Sequence, residues 1–216
     1  MTAYPWGVTA WTEISSEAAL TALLGEPADA VRAKERSALS DVDRDWLAAS
    51  PFCVVATSDA EGNLDVSPKG DPAGKLAHVV DDTTIAIAER PGNRRADGYR
   101  NILSNPHVGL NFLIPGRGDT LRINGRARLV SDAPFFDAMV VKGHRPLLAV
   151  VVDIDTVFFH CQKAFLRSQM WDPETWDPEG VVPRRAVISH RMEKKDKSIA
   201  ELDAYYGESY LEGLYG

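Results

Sequence analysis

The period of the hydrophobic positions changes abruptly near residue 50. Upstream, residues 15–49 carry apolar side chains at helical spacing. SSEAALTALLG offers a serine at an N-cap and Gly25 as a stop, and PADAVRAKERSAL follows with Pro27 where a first turn tolerates it. SDVDRDWLAAS begins with Ser40 and has an acid three residues on, a variant of the capping box, and Pro51 ends the region. Downstream the pattern is that of strands. FCVVATS, the turn DAEGN and LDVSPKG predict a hairpin over 52–70, and KLAHVV and TTIAIAE follow, separated by the turn-like DD. A helical NRRADGYRNILSN ends at Pro106, and HVGLNFLI is a further strand. DTLRINGRARLV then sets Leu121, Ile123, Gly125, Ala127 and Leu129 against Arg122, Asn124, Arg126 and Arg128, the period of a half-exposed strand. DAPFFDAMVVKG predicts a short helix and LLAVVVDIDTVFFHC a long strand. Six or seven strands with one or two interposed helices predict a closed or nearly closed antiparallel barrel, not a doubly wound sheet. Beyond about residue 170 the strand signals fade into WDPETWDPEGVVPRR, a charged EKKDKS and DAYYGESYLEGLYG.

Composition narrows the class. With 216 residues, 44% hydrophobic and 25% charged, the chain reads as one globular domain with helical attachments. Its net charge of −7 argues against a general nucleic-acid or anionic-membrane binder, since both favour a basic face. Cys53 and Cys161 are too few for a disulfide framework, and MTAYPWGVTAW lacks the basic and apolar regions of a signal peptide, so a cytoplasmic location is the expectation. The longest apolar run, LLAVVVDI, is broken by Asp153 and Asp155 and is too short to span a bilayer.

Against the acidic background, RPGNRRADGYR over 90–100 stands out: Arg90, Arg94, Arg95 and Arg100 face a single acid, Asp97. A strand end followed by Pro-Gly-Asn and a helix start can hold an anion, because free backbone N–H groups and the helix dipole point the same way. Arg94 and Arg95 would add guanidinium forks to that start. By residue type alone these arginines read equally as a solvated helix face. SPKGD over 67–71 sets a hydroxyl, a rigid Pro68 unable to donate to a strand ladder, a lysine and Gly70 at the end of the hairpin; alone, it reads equally as a polar loop.

Taken together, FCVVATSDAEGNLDVSPKGD, IAIAERPGNRRADGYRNILSNPHVGLNFLIPG and DTLRINGRARLV resemble the pyridoxamine 5′-phosphate oxidase-like superfamily of FMN-binding split barrels. Within it they look like a bacterial subgroup of FMN-dependent enzymes; the resemblance covers roughly 30–180. It implies a mainly β, α+β fold: a six-stranded antiparallel split β-barrel over 51–170, with flanking helices, an N-terminal helical extension over 1–50, and a tail over 171–216 packing on the barrel or the dimer partner. It implies a homodimer with FMN at the subunit interface, and an FMN-dependent oxidoreductase acting on a small-molecule substrate. A flavin carrier or redox-sensing module without turnover is the alternative, and relatives binding deazaflavin or haem leave those ligands open, His160 being the axial candidate for haem. The implied flavin contacts are Ser67 and Lys69, bordered by Val66 and Pro68; Ala88 and Glu89 at the next strand end; Arg94 and Arg95 on the phosphate; Asn124 beside the ring; and Trp171 against the partner's flavin. Glu89, an acid beside a phosphate, is expected to turn to Arg90, to the ring or ribityl groups, or to solvent. The true oxidase carries an Arg–x–Val–Leu–Leu–Lys strand where this chain has DVSPKG, which sets its substrate apart. No catalytic acid or base is assigned. His160 and Cys161, adjacent on a strand, point to opposite faces and make a poor metal pair.

Overall fold

The computed structural model describes residues 11–193 and 196–215. The chain divides into two compact units, Met1–Glu35 and Arg36–Gly216. In the first, α1 (Glu17–Leu24) is capped by Ser16, whose Oγ accepts from Ala19 N at 3.2 Å, and Gly25 at φ 80° ends it. The second predicted helix is a single turn, α2 (Asp29–Arg32). Residues 1–10 of the predicted helical extension lie outside the described residues.

The second unit begins with an extended Arg36, which exchanges backbone hydrogen bonds with Val157 at 3.1 and 2.7 Å; a helix running to Leu39 is incompatible with that pairing. Next, α3 (Asp41–Ala49) carries the full capping box: Ser40 Oγ accepts from Asp43 N at 3.4 Å and the Asp43 carboxylate accepts from Ser40 N at 2.7 Å. Burial of Asp43 works to raise its pKa, but the Arg36 guanidinium and Ser40 outweigh it and hold the carboxyl below the ordinary range.

Seven strands follow: β1 (Phe52–Ser58), β2 (Leu64–Gly70), β3 (Ala77–Asp81), β4 (Thr84–Ala88), β5 (His107–Leu113), β6 (Thr120–Val130) and β7 (Ala149–His160). They form one antiparallel sheet in the order β2-β1-β5-β6-β7-β4-β3. The mainly β architecture of an open split barrel is as the sequence led us to expect; among the described residues there are seven strands, the upper of the six or seven read from the pattern, which corrects the six that the resemblance implied. Four strands separate β2 from β4 in the sheet, yet Lys69 on β2 and Glu89 just past β4 meet at 3.2 Å. The sheet therefore curls until its two ends approach without pairing, and a cleft opens along the split.

Burial explains the strands. Along β1 and β5 alternate residues are buried, the inner row being Cys53, Val55, Val108, Leu110 and Phe112. Every residue of β4 is buried, because Ile85 and Ile87 face the main core while Ala86 and Ala88 pack on the 3-10 helix Pro134–Met139. A bulge interrupts β6 between Asn124 and Gly125, where a Cβ on Gly125 would lie 2.1 Å from the Asp153 carbonyl oxygen. Gly125→Ala should therefore cost about 1–3 kcal/mol in chemical denaturation; an unchanged midpoint would contradict this close approach.

Connecting β4 to β5 is α4 (Asp97–Ser104), which begins four residues later than its sequence suggests. Beyond β7 come α5 (Lys163–Ser168), α6 (Pro178–Val181), α7 (Arg185–Met192), α8 (Ile199–Tyr205) and α9 (Glu208–Glu212). Arg184 pairs with Asp203 at 2.7 Å, and the Ser189 and Tyr206 hydroxyls meet at 2.9 Å, tying the tail helices together. Among the described residues no helix is long and apolar enough to cross a membrane.

Candidate functional site

The split holds a cleft of about 430 Å³. Strand alternation builds one wall. Asp65, Ser67 and Lys69 share a face of β2, paired with Thr57, Val55 and Cys53 of β1, while Leu64 and Val66 lie on the opposite, exposed face. The end of β4 and the loop after it supply Ala88, Glu89 and residues 90–96, and the first turn of α4 supplies Asp97, Gly98 and Tyr99. A Cβ on Gly98 would sit 2.9 Å from the Asp65 carboxylate, so its glycine lets α4 come down on β2.

Of the residues singled out in the sequence, Ser67, Pro68, Lys69, Ala88, Glu89, Arg94 and Arg95 all line this cleft. Val66, Asn124 and Trp171 do not. Val66 and Asn124 share one row on the opposite face of the sheet, joined through Ala56 and Gly109, and the Asn124 amide donates to Thr156 Oγ at 3.2 Å. Trp171 donates from Nε1 to the Arg117 carbonyl at 2.7 Å and stacks on Phe165.

The arginine stretch resolves into distinct roles. Arg90 is taken up within the protein: it donates from Nε to Asp71 Oδ2 and from Nη2 to the Met139 carbonyl, both at 2.8 Å. Arg95 pairs with Asp97, which also takes Arg100 at 3.5 Å. Arg94 has no partner among the described residues. The expected helix start at residue 93 is corrected: Asn93 Oδ1 instead accepts from Arg95 N at 3.0 Å, and Arg94 and Ala96 take left-handed φ of 59° and 57°. Asp97 then heads the helix, where an acid complements the dipole. The free N–H groups imagined beside Arg94 thus lie further along, next to a carboxylate.

In the same cleft, Lys69 Nζ donates to Tyr99 Oη at 2.7 Å and to Glu89 Oε2 at 3.2 Å. Glu89 thus engages Lys69, not Arg90. Beneath it, burial pushes the Cys53 thiol up to about 12 despite the nearby lysine, so this cysteine is a packing group and no nucleophile. Three residues of the site escaped sequence reasoning. Tyr99 follows a glycine that marks close packing, a usable signal. Asp71 was in plain view in SPKGD without a visible partner. Tyr215 donates to Asp71 Oδ1 at 3.0 Å across 144 positions, and nothing local announces it.

The cleft brings together a guanidinium and a Ser67 hydroxyl without partners among the described residues, a lysine, and the apolar Leu76 and Ala88, donors and apolar surface that fit a phosphorylated ring system. Among the described residues no group of three or more His, Cys, Asp or Glu side chains could hold a metal.

The family model for pyridoxamine 5′-phosphate oxidase matches residues 39–161. No curated protein matches the chain. Among solved structures, HupZ of Group A Streptococcus is 19% identical, with 56% of this chain and 93% of that one covered and a TM-score of 0.45. An FMN-binding protein from Syntrophomonas wolfei is 14% identical, covering 55% and 88% with a TM-score of 0.41. A structure described as an F420 reductase is 16% identical, covering 56% and 98% with a TM-score of 0.40.

Proposed function

Since the chain belongs to the pyridoxamine 5′-phosphate oxidase family, we propose that its cleft binds FMN and that the protein is an FMN-dependent oxidoreductase acting on a small molecule. The observation that carries this reading is that one cleft is lined both by Arg94, without a partner among the described residues, and by Lys69, held by Tyr99 and Glu89. Arg94 would hold the phosphate, and Arg95 would join it by leaving the exposed pair with Asp97, which costs little in water. Ser67, Pro68, Ala88 and Glu89 would border the rest of the cofactor. When bound, FMN supplies hydride and electron transfer, chemistry that belongs to the cofactor.

The chain's own part is to bind, orient and place charge. Lys69 presents a positive group held between Tyr99 and Glu89, so its position is fixed before any negative charge develops beside it. On the far side of β2, Leu64 and Val66 are 78% and 63% exposed, an apolar row that would be covered in a homodimer. Val66 and Asn124, which lie on that outer face, would then belong to the subunit contact, with Trp171 reaching a partner's cleft in the same assembly.

The FMN-loaded protein, reduced anaerobically and mixed with a quinone acceptor, should reoxidise at least about tenfold faster than free reduced FMN, a modest barrier reduction for an enzyme. Reoxidation no faster than the free cofactor's would instead support a flavin carrier.

A further inference from the structure

Beyond the flavin cleft lies a larger cavity of about 1090 Å³, and the two share residues 89–94 as a common wall. Its other walls are residues 143–147 and the C-terminal segment, with Arg185, Tyr206 and Tyr210 among them. Tyr215 latches this segment to the site: it bonds Asp71, and its ring lies 5.7 Å from the Arg90 guanidinium. We infer that this cavity binds an aromatic carboxylate. Its role there as a reactant rests on the flavin reading, whereas its recognition chemistry does not.

The volume is ample for a small organic ligand. The tyrosines give it aromatic character: the Tyr206 ring is already covered by the Arg185 guanidinium at 5.2 Å, whereas Tyr210, edge to face with Tyr206 at 5.5 Å, is 47% exposed and offers ring surface to a further aromatic group. The charge is one-sided. Arg94, Arg145 and Arg185 line the cavity, and its one carboxylate among the described residues, Glu89, already takes Lys69. Arg94, on the shared wall, is taken by the FMN phosphate in the loaded protein, so the carboxylate falls to Arg145 and Arg185. Arg145 spends Nε and Nη2 on Asp137 and Asp132, and Arg185 engages Glu193 through Nη2 and also the Tyr206 hydroxyl, so that of five N–H donors each guanidinium still keeps some for a ligand. Planar guanidinium forks match the geometry of a carboxylate, and tyrosine rings match the body that carries it.

The test uses the full-length FMN-loaded protein with 4-nitrobenzoate and its uncharged counterpart 4-nitrobenzyl alcohol, followed by equilibrium dialysis, with FMN affinity titrated in parallel. The benzoate should bind about tenfold tighter, the scale of a hydrogen bond to a charged group. Arg185→Gln should abolish that preference, Arg185→Lys should restore part of it, and Tyr210→Ser should weaken both probes. FMN affinity should hold in all three variants, because neither residue lines the flavin cleft. Equal binding of the two probes, binding of neither, or an undiminished preference in Arg185→Gln would overturn the inference. Arg185-dependent benzoate binding without FMN binding would leave the cavity assignment standing and remove the flavin reading.

Discussion

Arg90→Ala is expected to lower the unfolding free energy by about 3–5 kcal/mol, the cost of stranding a buried charge. The side chains of Arg90 and Asp71 are only 13% and 2% exposed, so water can replace little of what the guanidinium supplies. Its removal also frees the Met139 carbonyl and takes the cation from the Tyr215 ring. Asp71 would keep only the Tyr215 hydroxyl. The double variant Asp71→Asn/Arg90→Ala should recover part of the loss, because it removes the stranded charge itself. Urea denaturation decides: a loss below about 1 kcal/mol, the scale of an exposed pair, would mean that the pair is surface decoration.

Arg94→Ala is expected to weaken FMN binding by about 1.5–3 kcal/mol, roughly ten- to a hundredfold, while leaving stability nearly unchanged. Among the described residues Arg94 has no partner to release, so its donors are available to a phosphate. Arg95→Ala should cost less, since Arg95 must first give up Asp97. Fluorescence titration of the apoprotein with FMN measures both; equal losses in the two variants would contradict the ranking.

The strands were legible because their signal is local. Alternation in LRINGRARLV and in FCVVATS survives in the burial of β6 and β1, and the continuous TTIAIA run is what a strand covered on both faces looks like. The capping box at Ser40 was equally plain, being complete within four residues. Half of the site was legible for the same reason: the period of β2 turns Ser67 and Lys69 inward together. What stayed hidden depended on the closed fold. Four arginines within eleven residues look alike in sequence, and only the curl of the sheet brings Asp71 to Arg90 and Glu89 to Lys69. The late start of α4 was hidden because left-handed Arg94 and Ala96 lack the glycine that normally marks such backbone. Asn124 was placed beside the flavin from its position on the same side as Arg122, but the inner row there is Leu121 and Ile123, and the bulge follows directly.

A single comparison bears most directly on the flavin cleft: titration of the apoprotein with FMN and with riboflavin, which differ only by the phosphate, in the natural chain and in Arg94→Ala. FMN should bind at least about tenfold tighter than riboflavin in the natural chain, and the Arg94 substitution should erase most of that difference. Equal affinity for the two flavins, or a phosphate preference that survives the loss of Arg94, would contradict the assignment of this cleft.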